Sequence, residues 1–246
     1  MSNKNAKLLY SHDYFAKYAD RSAESAAVVV PLVLALVKVN SVVDVGCGVG
    51  AWACEFQTHG VPDVCGIDGD YVDSSQLRIL PSQFLARDLT RSLRLERTFD
   101  LAVCLEVAEH LPESRAHGLV VDLTSLAPCL LFSAAVPGQG GAHHVNEQYL
   151  LYWIDLFQRQ QYEAIDPIRP RILGNDSVEW YYQQNIVMFV APSHPLRGKN
   201  FQKPESFIHP YLYDAYRRAV LHPSKACSFP QAMYHLIRSY LRFKVD

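Results

Sequence analysis

The six cysteines of this 246-residue chain (Cys47, Cys54, Cys65, Cys104, Cys129 and Cys227) include no C-x-x-C pair, so the usual zinc-ribbon and dithiol redox patterns are excluded. Three of them lie in or beside apolar, strand-like runs, where cysteine behaves as a small buried hydrophobe. A reduced, cytoplasmic protein without a disulfide framework is expected. Long hydrophobic runs are missing too. The best stretch, Ala26 to Val39, is interrupted by Pro31 and Lys38, which argues against stable membrane insertion. Ser2-Asn3-Lys4-Asn5 lacks the apolar core of a secretory signal. There are no internal repeats or low-complexity tracts, and up to residue 196 no basic, aromatic-studded stripe of the kind that tracks nucleic acid. Net charge is only −2, but it is unevenly spread. Residues 1–196 hold 14 Lys+Arg against 22 Asp+Glu, and residues 197–246 hold 9 against 3. A basic end of this kind is expected to dock on the acidic body of its own chain.

What the sequence does have is concentrated at residues 41–50, Ser-Val-Val-Asp-Val-Gly-Cys-Gly-Val-Gly. Val42, Val43 and Val45 form a β-branched run suited to a buried parallel strand. Gly46, Gly48 and Gly50 then provide a turn that a ligand can approach closely, and Ala51-Trp52-Ala53-Cys54 can open a helix. The spacing G-x-G-x-G departs from the G-x-G-x-x-G of dinucleotide sites. Asp44, two residues before the first glycine, would repel a pyrophosphate but suits a cationic ligand. Further strand-like runs follow: Val64 to Ile67 ending on Asp68, Phe84 to Ala86 ahead of Asp88, Phe99 to Leu105, and Leu130 to Val136.

In this order the motifs resemble those of class I S-adenosylmethionine-dependent methyltransferases, over roughly residues 10–192. Val-Val-Asp-Val-Gly-Cys-Gly-Val-Gly is similar to their motif I, and Glu106-Val-Ala-Glu-His-Leu-Pro112 to the run after the fourth strand in small-molecule members, a branch that includes ubiquinone-biosynthesis-like and sugar-modifying enzymes. The resemblance implies an α/β fold: a doubly wound seven-stranded sheet with a helical N-terminal lid, the last strand antiparallel beside the fifth. It implies S-adenosyl-L-methionine as cofactor. Asp44 with Gly46, Cys47, Gly48 and Gly50 would hold the methionine end, Asp68 with Gly69 the ribose, and Asp88 with Leu89 the adenine. Tyr14 and Tyr18 of the lid, Trp52, and Leu105, Glu106 and Val107 complete the implied cofactor contacts.

Residues 1–192 are read as the catalytic domain, with five strand–helix units between Val42 and Pro137, a first helix holding Tyr14 and Tyr18, and a second, Ser22 to Val39, bent or restarted at Pro31. A glycine-rich loop, Pro137 to Ala142, leads to a helix over Asn146 to Gln161, a sixth strand over Tyr162 to Ile168 and a seventh over Asn185 to Val190. Residues 193–246 read as a linker and a helical C-terminal extension: Tyr211 to Leu221, then an amphipathic helix from Pro230 to Phe243 whose apolar stripe packs on the domain or on the second subunit of a homodimer. His144, after the glycine-rich loop, has the type and place of a general base, with His110 building the site floor. His143, His144 and Glu147 are the set that could be read as metal ligands, but adjacent histidines diverge and a second carboxylate is missing, so no metal is expected. The resemblance points to O-methylation of a small hydroxylated metabolite or saccharide. Small-molecule N-methylation is the alternative, and a catalytically inactive cofactor-binding or scaffolding subunit a third. The N-P-P-[FYW] signature of nucleic-acid base methylation is absent after the fourth strand, so no nucleic acid partner is expected.

Overall fold

The computed structural model describes residues 12–221, with the side chains of residues 12–19 and 219 left aside. The second C-terminal helix expected from Pro230 therefore lies outside the described residues. A seven-stranded sheet runs in the order β3-β2-β1-β4-β5-β7-β6. Its strands are β1 (Ser41–Val45), β2 (Asp63–Asp68), β3 (Phe84–Ala86), β4 (Leu101–Leu105), β5 (Cys129–Ser133), β6 (Glu163–Ile165) and β7 (Val187–Val190). The first five are parallel, and β7 lies antiparallel between β5 and β6, as the resemblance implies. The sheet reverses direction of travel between β1 and β4. In open α/β sheets a crevice forms at such a switch point, beyond the carboxyl ends of the strands.

The central strands are buried on both faces, so they read as near-continuous apolar runs rather than alternating ones. On one face Ala102, Cys104, Leu130 and Phe132 pack under α3 (Glu113–Leu126) and α4 (Leu150–Arg159). Phe132 sits 5.3 Å from both Trp153 and Phe157, while Phe157 stacks on Phe189 at 3.8 Å. On the other face Leu101, Val103 and Leu131 meet α1 (His12–Leu34) and α2 (Ala51–Thr58) through Ala26, Val29, Val33 and Phe56.

Four expectations need correction. The first two expected helices are one: α1 runs unbroken through Pro31 and ends three residues later, so the missing proline N–H falls where the helix is about to stop. Strand–helix alternation also fails after β2 and β3. Two 3₁₀ turns, Ser74–Gln76 and Pro81–Gln83, follow β2, and irregular chain follows β3. That chain is held by α3, not by its own pattern: Arg115 donates to the carbonyls of Leu89 (3.0 Å) and Arg91 (2.8 Å) and pairs with Asp122, which accepts from the Leu93 N–H at 2.7 Å. The expected helix from Asn146 starts only at Leu150, because the N–H groups of Val145 and Asn146 both bond the Glu109 carbonyl (2.8 and 3.1 Å). Finally, Trp180–Asn185 forms a short helix, α6, following the four-residue α5 (Arg169–Ile172), so Asn185 is not in the last strand.

Beyond β7 the chain crosses back over the domain. Leu196 is buried, Gln202 pairs with Asp166 through backbone groups, and α7 (Pro210–Leu221) stacks Tyr211 on Trp180 at 5.2 Å.

Candidate active site

A cleft of about 370 Å³ opens at the carboxyl ends of β1, β4 and β5. It is within the range of small-molecule sites. One wall is the β1 turn. Gly46 and Gly50 have φ of +81° and +83°, a region that a side chain strains to adopt. At Gly46 a Cβ would also stand 2.3 Å from Val107 Cγ2, so this turn can be built only with glycine. Asp44 lies beneath, 3% exposed, and its Oδ2 has no hydrogen-bond partner among the described residues. Burial pushes its carboxyl up to about 7, with the nearby Asp68 adding to the rise and a bond from the Ala53 N–H opposing it.

Asp68, at the tip of β2, is spoken for. It accepts from the N–H groups of Gly48 and Gly69 (both 2.7 Å) and from the Tyr71 hydroxyl. Burial raises its carboxyl despite these bonds. Its first work is to fix the glycine turn, and its neighbour Tyr71 belongs to no motif that would single it out.

The opposite wall comes from β4 and the loop after β5. Glu106 takes the left-handed φ of 54°, unusual for a non-glycine residue. It accepts from Gln139 Nε2 (2.6 Å) and Asn185 Nδ2 (3.1 Å). Glu109 is fully buried, and among the described residues neither carboxylate oxygen meets a donor in full hydrogen-bonding geometry. Burial, reinforced by Glu106, holds its carboxyl well above the usual range. His110 is pushed down to about 4 by burial, then by His144 nearby, although a bond to the His143 backbone opposes this. His144 meets the His110 ring edge-on at 5.0 Å and directs Nδ1 to Glu147 Oε1 at 2.8 Å. Glu147 is anchored by the N–H groups of Gly138 (2.6 Å) and Gly140 (2.9 Å). Burial works against its ionisation, but these bonds and His144 prevail and keep its carboxyl below the usual value.

The cleft thus gathers Asp44, Gly46, Cys47, Gly48, Trp52, Leu105, Glu106, His110 and His144 from the sequence-derived set. Val107 supports from behind by packing on Gly46, Gly50 caps α2, and Gly69 lies under the Tyr71 ring. Asp68, like these three, is outside the lining, and Asp88 and Leu89 are engaged elsewhere. Asp88 closes a turn with the Thr90 N–H (3.0 Å) and hydroxyl (2.6 Å), its side chain 56% exposed and its carboxyl lowered first by that hydroxyl. Leu89 is a core residue. Tyr14 and Tyr18 fall in α1, but their side chains are outside the described set. The helix does border the cleft, through Arg21 and Ser22, while its later turns pack in the core rather than forming a lid alone. The metal set weighed from sequence does not assemble as His143, His144 and Glu147. Instead His144 meets His110 and Glu109, the carboxylate coming from a segment 35 residues earlier in the chain. Gln139, Asn185 and Tyr182, which accepts from Trp52 Nε1 at 3.3 Å, escaped sequence reasoning; only Gln139 carried a signal, its place in the glycine-rich loop.

Residues 10–125 match the model of a family described as a methyltransferase domain. No curated protein matches the chain. Among solved structures, an O-methyltransferase family protein from Burkholderia thailandensis is similar with a TM-score of 0.54 at 11% identity, over 73% of this chain and 57% of that one. Magnesium protoporphyrin IX methyltransferase from Synechocystis, with bound S-adenosylhomocysteine, gives 0.53 at 18%, over 70% and 83%. Human N-acetylserotonin methyltransferase, in complex with S-adenosylmethionine, gives 0.51 at 13%, over 74% and 56%. This chain therefore spans little more than half of the first and the last.

Proposed function

We propose that this chain, whose residues 10–125 match a methyltransferase domain, is an active class I, S-adenosylmethionine-dependent enzyme that O-methylates a small hydroxylated acceptor, a metabolite or saccharide. One observation supports this above the rest. A single cleft joins a buried carboxyl, Asp44, whose Oδ2 has no partner among the described residues, to a facing wall of Glu106, His110 and His144.

The residues fit the cofactor. Asp44 offers a buried acceptor to a cationic ligand, and the glycine turn, its own N–H groups tied to Ile67, Asp68 and Cys47, lets a ligand approach its backbone closely beside it. The cofactor supplies an electrophilic methyl group on a sulfonium, with a neutral thioether as leaving group. The protein's part is alignment and water exclusion. Asp44 and the Gly46–Gly50 turn fix the methionine end. Asp68 takes the ribose, with the Tyr71 hydroxyl giving way to a ribose hydroxyl. Asp88 lies outside the cleft, and Leu105 and Trp52 are apolar groups of the lining that the rest of the nucleoside can pack on. His144, held by Glu147, meets the acceptor from the β5 loop, and His110 forms the floor beneath it.

The test is an acceptor screen with methyl-labelled S-adenosylmethionine, read by mass spectrometry. A label on the oxygen of a hydroxylated small molecule is the expected product. A label on nitrogen or on nucleic acid, or cofactor binding with no transfer to any acceptor class, overturns the proposal.

A further inference from the structure

From the meeting of Glu109, His110 and His144 at the cleft wall, we propose that this chain binds one divalent transition-metal ion there, zinc by preference. The inference deepens the function proposed above and rests on it only for what the ion does, not for whether it binds.

One donor atom from each of the three side chains lies within 4.8 Å of the others. Two donors at about 2.1 Å from a common ion are at most about 4.2 Å apart, so a modest rotation of one side chain closes the set. Two imidazoles and one carboxylate form a ligand set for zinc and its first-row neighbours, with positions left for exogenous oxygen. The independent observation is Glu109. It is 0% exposed and lines the cleft, yet among the described residues neither oxygen has a donor in full hydrogen-bonding geometry, and only the N–H groups of Glu109 and Ala135 favour its charge. A buried carboxyl is normally hydrogen-bonded or paired, and a cation between it and the imidazoles would satisfy it.

The supporting shell is also present. Metal-ligating histidines usually direct their second nitrogen to a carboxylate or a carbonyl, which fixes the ring and its tautomer. His144 sends Nδ1 to Glu147, leaving Nε2 as the ligand, and that carboxylate is fixed by two backbone N–H groups. His110 is held by the backbone of His143. Gly141 leaves room for the His144 ring, since a Cβ there would stand 2.2 Å from Nε2. The two ligand-bearing segments are stitched together, the Val145 and Asn146 N–H groups both bonding the Glu109 carbonyl. Backbone strain flanks the set on both sides, at Glu106 (φ 54°) and His143 (φ 63°). Such strain persists where surroundings over-determine it, which is common at ligand sites.

An ion in this place faces the acceptor. It selects acceptors that present an oxygen donor to it, and it lowers the pKa of a bound hydroxyl. The oxygen–methyl bond then forms as the carbon–sulfur bond breaks, and the hydroxyl proton passes to water. The imidazole lone pair of His144 is committed to the ion, so His144 is a ligand rather than the proton acceptor.

The experiment uses the full chain, freed of metal by chelation and dialysis. Zinc is titrated by equilibrium dialysis, cobalt(II) is added in parallel for its visible absorption, and S-adenosylhomocysteine is titrated on the same samples. The wild type should bind one zinc per chain and show a ligand-field band with cobalt. Glu109→Gln and His144→Ala should each weaken zinc at least about tenfold and abolish the cobalt band, with S-adenosylhomocysteine affinity retained. Should Glu109→Gln fail to fold, as seen by lost helical circular dichroism, His144→Ala on the loop decides. No stoichiometric zinc in the wild type, or equal zinc affinity in the folded variants, overturns the site. Zinc bound as expected without any S-adenosylhomocysteine binding leaves the site standing and overturns the methyl-transfer reading instead.

Discussion

Asp44 should make cofactor affinity depend on pH, and the structure sets how steeply. Its carboxyl sits near 7, pushed there by burial and by Asp68, against an ordinary value of 3.8. In the free protein at pH 6 it therefore carries a proton, whereas a cationic ligand requires the carboxylate. Binding must expel that proton. If the bound-state pKa returns to the ordinary range, affinity rises close to tenfold per pH unit below 7 and levels off above it. Between pH 5.5 and 7.5 the gain is about 20-fold. The assay is calorimetric titration of S-adenosylmethionine in buffers of differing ionisation enthalpy, which counts protons released. Close to one proton at pH 6 and almost none at pH 8.5 is expected. Asp44→Asn should bind more weakly and lose the pH slope. The same group affects stability in the opposite sense. A raised folded-state pKa means the native protein holds more protons than the unfolded chain between about 4 and 7, so its contribution to stability falls as pH rises through that window. The three-unit difference corresponds to roughly 4 kcal/mol as an order of magnitude. Asp44→Asn, which cannot ionise, should therefore melt higher than wild type at pH 8 and match it more closely at pH 4.5. A pH-independent affinity with no proton release, or an Asn variant that keeps the wild-type slope, would refute the reasoning.

Gly46→Ala places a Cβ on Val107 in a left-handed backbone, and about 2–4 kcal/mol should be lost in urea denaturation, with cofactor binding lost as well. Phe132→Ala empties the centre of the cluster with Trp153, Phe157 and Phe189, costing about 3–5 kcal/mol by the same measurement. Glu147→Gln loosens the anchor on His144, and kcat for methyl transfer should fall about 10–100-fold while S-adenosylhomocysteine affinity is unchanged. An equal loss in both would mean that Glu147 merely supports the fold.

The sequence by itself determined the central strands, the glycine turn and the wall of the cleft built on β1. Val42–Val45, Leu101–Leu105 and Cys129–Ser133 are buried on both faces, so burial writes itself into them as apolar runs broken only by Asp44 and by the closing Ser133. Gly46 had to be glycine for a local reason, its positive φ, and local reasons are visible in one dimension. What depends on distant partners was not visible. The helices expected after β2 and β3 are replaced by turns and by chain clasped from α3, where Arg115 and Asp122 satisfy its backbone groups from more than twenty residues away. Asp88 was in the right register, but a hydroxyl two residues on captured its carboxylate. The ligand set at the cleft wall shows the same division. His143, His144 and Glu147 are neighbours in sequence, yet the carboxylate facing His144 in space is Glu109, because the Val145 and Asn146 N–H groups tie the later loop to the Glu109 carbonyl. Periodicity and turn chemistry report what a residue needs from its own backbone and from the side of the sheet it faces. Only the tertiary structure decides which unpartnered polar groups, each tolerable alone, are brought within reach of one another.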